Sequence, residues 1–131
     1  MLFRSLATYD KFTDQVERTK RSLLRFLVEA REAGKHVVGY GAPGKGNTLL
    51  NYCGVRTDLL DYTVDRNPYK QGRFLPGTHI PIFGPERIDE LRPDLILILP
   101  WNFKDEILEQ LSHVREWGAQ FVVPIPEATV I

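Results

Sequence analysis

Cysteine is almost missing from this chain: Cys53 is the only one in 131 residues. A lone thiol excludes an internal disulfide and any zinc site built on cysteines. An excess of one charge is missing too. Lys plus Arg and Asp plus Glu number 17 each, for a formal net charge of zero. Nucleic-acid and membrane-surface binders carry a strong basic excess, so neither class is expected. No apolar run approaches the ~20 residues of a membrane span. The N-terminus lacks the basic segment and apolar run of a signal peptide. The expected location is the cytoplasm. Repeats, low-complexity tracts and linkers are also missing, so residues 1–131 are expected to form one domain.

Catalytic constellations are equally scarce. His36, His79 and His113 are scattered, and Ser5, Ser22 and Ser112 fall in or near helices. There is no metal-ligand spacing, no paired carboxylate motif and no nucleophile elbow. The chain is equipped to bind, and no catalytic residue or metal ligand is expected in it.

What the chain does have is alternation. Residues 9–35 read as one long amphipathic helix. Phe12, Val16, Leu23, Leu24, Leu27 and Val28 share a face, Thr8 or Asp10 is the candidate cap, and Gly34 closes it. Residues 35–41 read as a buried strand and 46–52 as a short helix. Residues 59–65 make a second strand, 66–79 a turn-rich loop, 80–83 a short strand and 84–91 a helix. The run 94–100 is a strand buried on both faces, because Leu95 to Leu99 are all apolar. Residues 102–118 read as a helix capped by Asn102 with Phe103, Ile107, Leu111 and Val114 inside. Residues 119–126 are the last strand. This order predicts an α/β fold: a Rossmann-like open, mostly parallel sheet flanked by helices, with a long N-terminal helix.

Ligands of such sheets bind beyond the C-terminal strand ends, where the strand order reverses. That edge carries "GYGAPGKGNT", residues 39–48. Two templates nearly fit it. Gly39, Gly41 and Gly44 match the dinucleotide fingerprint G-x-G-x-x-G, and Asp65 stands about 20 residues on, where an acid would hold a ribose. Against this, the following helix is short and contains Gly46, a poor helix former. Gly39, Gly44 and Lys45 match the phosphate loop G-x-x-x-x-G-K-S/T, but Gly46 supplies no hydroxyl for Mg²⁺.

Both templates share one physical content. Glycines admit close backbone approach, a helix start carries partial positive charge, and Lys45 adds a full one, so an anion such as phosphate is favoured. The bland alternative is a tight strand-to-helix turn. Arg66, Lys70 and Arg73, interleaved with Tyr69 and Phe74, suit a nucleotide, with cations for phosphate and rings for a base. The candidate ligand-binding residues are Gly41, Pro43, Gly44, Lys45, Gly46, Asn47, Asp65, Arg66, Asn67, Lys70, Trp101 and Asn102.

Four stretches, "GYGAPGKGNTLLNYCG", "DYTVDRNPYKQGRFLPGTHIPI", "LILPWNFKDEI" and "FVVPIPE", carry a family resemblance. From about Tyr9 to Glu127 the chain resembles the C-terminal domain of the C-methyltransferases that act on nucleotide-linked deoxysugars. The resemblance implies a second Rossmann-like unit that helps hold the nucleotide-sugar. It places zinc and S-adenosylmethionine, with the proton-abstracting base, on upstream domains this sequence lacks, so no cofactor is expected in this chain. An excised domain or truncated protein is expected. The family pattern has alanine at the position of Gly44, which makes the third fingerprint glycine incidental. The implied partners are a nucleotide-linked deoxysugar and the upstream methyl-donor domain. The competing expectations are a NAD-type dinucleotide-binding domain of an oxidoreductase and a purely structural packing module.

Overall fold

A computed structural model describes residues 2–131, with side chains from residue 11 onward. Six strands form one sheet: β1 (Val37–Tyr40), β2 (Thr63–Val64), β3 (Ile82–Phe83), β4 (Leu95–Ile98), β5 (Gln120–Val123) and β6 (Thr129–Val130). Their order is β3-β2-β1-β4-β5-β6. The first five run parallel, and β6 pairs antiparallel with β5. The chain leaves β1 toward β2 on one side, while β4 lies on the other. The strand order therefore reverses between β1 and β4.

Among the described residues four α-helices flank the sheet: α1 (Leu2–Glu32), α2 (Gly44–Cys53), α3 (Glu86–Leu91) and α4 (Lys104–Gln110). Strand side chains alternate between two cores. Val37, Leu95, Leu97, Leu99 and Val122 pack with Leu23, Leu27 and Leu50 of α1 and α2. Val38, Tyr40, Ile96, Ile98 and Phe121 pack with Ile88, Ile107 and Val114 on the other face. The consecutive apolar residues of β4 are thus all used, as burial on both faces requires. Each such buried aliphatic side chain contributes about 1.5–3 kcal/mol.

The long helix differs from the expected one in start and face. It is helical from Leu2, so Thr8 and Asp10 do not begin it; their side chains lie outside the described residues. Its buried stripe is Thr19, Leu23, Leu27 and Ala30, whereas Phe12 is 68% exposed and Val28 is also exposed. Val28 stands one residue, about 100° of helix, from the buried Leu27, and it turns out to solvent. Phe12 precedes the stretch that packs. Thr19 and Gln15 donate to the Pro126 carbonyl, and Ser22 accepts the Ala128 N–H, so this helix also pins the return leading to β6. The expected closure holds: Lys35 N–H bonds to Ala30 O and Gly34 N–H to Arg31 O.

Three further expectations are corrected. Residues 59–60 are not strand: the chain turns at 57–59, with the Leu59 and Leu60 N–H groups both on Arg56 O, and pairing with β1 begins at Asp61. The helix expected over 102–118 is broken. A 3₁₀ turn at Trp101–Phe103 precedes α4, and a 3₁₀ stretch at Ser112–Trp117 follows it. Asn102 sits inside the first turn and does not cap α4, and Phe103 is 56% exposed. The Phe103 N–H closes on Pro100 O, which tightens the chain before α4 begins. Ile107, Leu111 and Val114 are buried as expected. The strand expected over 119–126 ends at Val123 and is not the last, because the chain returns as β6 in register Val122 with Val130.

Candidate functional site

The C-terminal ends of β1 and β4 enclose a cavity of about 180 Å³ at the point of order reversal. Pro43, Gly44 and Lys45 form one wall, and Leu99 to Phe103 form the other. Five expected site residues therefore meet here: Pro43, Gly44, Lys45, Trp101 and Asn102. Phe103 lines the cavity as well. Sequence reasoning placed it in the core; its position at a strand exit beside Trp101 was the available signal.

The loop's shape follows from its glycines. Gly41 has φ +95°, and a Cβ there would lie 2.7 Å from Pro100 Cδ. Only glycine allows both the left-handed backbone and that contact. A Cβ on Gly46 would lie 2.8 Å from Leu99 Cβ, so Gly46 is what lets α2 seat against the end of β4. Gly44, the third glycine of the dinucleotide template, has nothing within 4 Å of its Cβ position. The residue that seats the helix is Gly46, two places later than that template puts it. The buried Thr63 hydroxyl donates to Gly41 O at 2.6 Å and fixes the peptide.

The first backbone bond of α2 runs from Asn47 N–H to Pro43 O. The N–H groups of Gly44, Lys45 and Gly46 precede it and have no helical carbonyl to meet. They sit at the positive end of the helix dipole, with the exposed Lys45 among them. Asn47 lies in the helix, where its carbonyl and side-chain oxygens accept from Asn51.

The loop after β2 braces this turn from the side. Asp65 Oδ2 accepts the Ala42 N–H and Oδ1 accepts the Asn67 N–H, both at 2.8 Å. Lys70 Nζ donates to Ala42 O at 3.0 Å and stands 4.0 Å from Asp65 Oδ2. Asn67 Oδ1 accepts the Tyr69 N–H, and Gln71 Nε2 donates to Asp65 O. Asp65, Asn67 and Lys70 are thus engaged with the protein's own backbone.

Arg66 is placed elsewhere. It lines a second cavity, about 420 Å³, with Tyr40, Pro85, Glu86, Asp89, Gln110, Leu111 and His113. Burial pushes the Tyr40 phenol up, with the Arg66 charge opposing, so Tyr40 is a protonated donor at neutral pH. His113 Nε2 meets Asp89 Oδ1 at 2.6 Å, and His36 Nδ1 meets Asp61 Oδ2 at 3.0 Å beyond the opposite ends of the strands. Neither His36, His79 nor His113 lines the cavity between β1 and β4. Among the described residues no group of three or more His, Cys, Asp or Glu is set to hold a metal ion. No described helix is long and apolar enough to cross a membrane.

Comparison with known proteins agrees with this architecture. UDP-D-quinovosamine 4-dehydrogenase from Vibrio fischeri superposes with a TM-score of 0.51 at 17% identity, covering 74% of this chain and 93% of that one. At that identity the likeness concerns the fold alone. C-methyltransferase NovU of Streptomyces niveus is 44% identical over 124 residues, which are 94% of this chain and 29% of that protein. The chain therefore spans less than a third of the relative it matches. A family model described as the C-methyltransferase C-terminal domain matches residues 1–126. On these grounds the chain belongs to the C-methyltransferase C-terminal domain family.

Proposed function

We propose that this chain is the nucleotide-sugar-binding C-terminal module of a SAM-dependent sugar C-methyltransferase. The observation that carries the reading is the first turn of α2. Of its three N–H groups without helical partners, those of Gly44 and Lys45 belong to residues that line a cavity at the sheet's reversal point, and Lys45 also carries an ammonium. A phosphate there gains from directed N–H donors and from the helix dipole together. Trp101 and Asn102 shape the floor, and Gly41 and Gly46 hold the turn close to the sheet. Lys70, Asp65 and Asn67 act by holding the loop, with Lys70 adding positive charge beside it.

Chemistry on the sugar belongs to the rest of the enzyme in this reading. The methyl donor and the zinc sit on upstream domains, and residues 1–131 form one domain that carries neither and works with them in the cytoplasm. The NAD reading is disfavoured by two features. Asp65 already uses both carboxylate oxygens on the protein backbone, and Gly44 has no packing role.

The test is an amide NMR titration of this chain with dTDP, NAD⁺ and S-adenosylmethionine separately. Saturable shifts with dTDP alone, centred on Gly44 to Asn47, are expected. Saturation by NAD⁺ alone would replace the reading with a dinucleotide-binding domain. Silence with all three leaves a packing module, and the nucleotide reading of the isolated domain fails.

A further inference from the structure

The larger cavity lies on the other face of the sheet from the proposed phosphate site. The small cavity takes its wall from Leu99, which belongs to the core under α1 and α2. The larger one is floored by Tyr40 and Leu111, which belong to the core under α3 and α4. It is a separate place with separate chemistry, and the expected phosphate role for Arg66 does not account for it.

Its lining mixes donors and acceptors around an apolar floor. Arg66 offers a fork of N–H donors, while Glu86 and Asp89 offer carboxylate oxygens. The Tyr40 hydroxyl donates to Gln110 Oε1 at 3.3 Å, which leaves the Gln110 amide N–H groups for another partner. Asp89 is bonded to His113 through one oxygen, which leaves the other. Two carboxylates beside one guanidinium do not favour an anion, and the guanidinium opposes a cation. A neutral ligand bearing many hydroxyls satisfies both kinds of group at once, because each hydroxyl donates and accepts. At about 420 Å³ the cavity falls in the usual range of small-molecule sites.

We propose that this groove is a second binding site, for a neutral polyhydroxylated molecule of sugar-ring size. It does not rest on the nucleotide reading, which dTDP shifts at Gly44 to Asn47 test separately.

The experiment is an amide NMR titration of the chain with D-glucose, with L-rhamnose and, separately, with inorganic phosphate. Saturable shifts at Glu86, Gln110, Leu111 and His113 are expected with at least one sugar at millimolar concentrations and not with phosphate. Replacing the exposed Gln110 (Gln110→Ala) should weaken that binding by roughly 3- to 10-fold, the worth of one or two hydrogen bonds, while the spectrum stays folded. Linear, non-saturating shifts with both sugars would overturn the proposal. So would saturation at this groove by phosphate alone, or sugar affinity unchanged in the Gln110→Ala chain.

Discussion

The carboxylate of Asp65 bonds to the backbone N–H of Ala42 at 2.8 Å, tying the end of β2 to the glycine turn after β1. An acid at this strand end would, in a dinucleotide site, face a ribose. Here it replaces the neighbouring strand as the acceptor for a loop amide, and its second oxygen holds Asn67.

Replacing Asp65 with alanine should therefore act on stability. The half-buried Ala42 N–H loses its acceptor, and the exposed Asn67 N–H turns to water, which together cost about 1–3 kcal/mol. Urea denaturation followed by circular dichroism would read it. A variant as stable as the parent would show that the turn does not need this brace.

Two neighbouring glycines give opposite expectations. Gly44→Ala meets empty space and gains helix propensity, so it should be neutral or stabilising by up to about 1 kcal/mol. Gly46→Ala drives a methyl to 2.8 Å from Leu99 Cβ and should cost about 1–3 kcal/mol. Thermal melts of the two variants side by side check the pair. Equal melting temperatures would contradict the view that Gly46 seats the helix.

Alkaline pH should destabilise the domain through Tyr62. Burial pushes this phenol from 10.0 up to about 12, with the Arg87 charge opposing. The unfolded chain releases the proton from about pH 10, while the folded one keeps it to about pH 12. The contribution to stability is thus whole below pH 10 and lost as the pH rises toward 12, for a total of about 2–3 kcal/mol. Denaturation midpoints measured between these values should fall in the parent. They should fall less steeply in Tyr62→Phe, which has no proton to lose there.

The sheet was legible because its signals are local. Leu95 to Leu99 are apolar without interruption, and only a strand covered on both faces uses such a run. That the residues leaving β1 and β4 meet at one edge was legible for the same reason: strand-end position follows once the strands are known. What escaped depends on tertiary packing. Phe12 and Phe103 fit a helical apolar period yet are exposed, because that period does not say where along the helix the core stops. The β6 return is two residues long and held by α1 through Pro126 and Ala128, a contact between distant segments. Arg66 and Lys70 lie four residues apart and looked equivalent, but the turn between them sends one to each side of the sheet edge.

Lys45 and Lys70 should separate ligand contact from loop support. Lys70 Nζ bonds to Ala42 O, so Lys70→Ala removes a brace and should lower stability by about 0.5–1.5 kcal/mol. Lys45 is exposed at the first turn of α2, at the positive end of its dipole, so Lys45→Ala should leave the denaturation midpoint unchanged or slightly raised. Its loss should appear in dTDP affinity instead, roughly 3- to 10-fold at low ionic strength, because one charge near a phosphate is worth about 1 kcal/mol at the surface. Raising the salt should shrink that difference, since screening weakens the parent's extra contact and leaves the variant's N–H contacts in place. Urea denaturation reads the stabilities, and calorimetric titration of both variants with dTDP at two salt concentrations reads the affinities. An affinity loss in Lys70→Ala alone would move the phosphate contact from the helix start to the loop after β2.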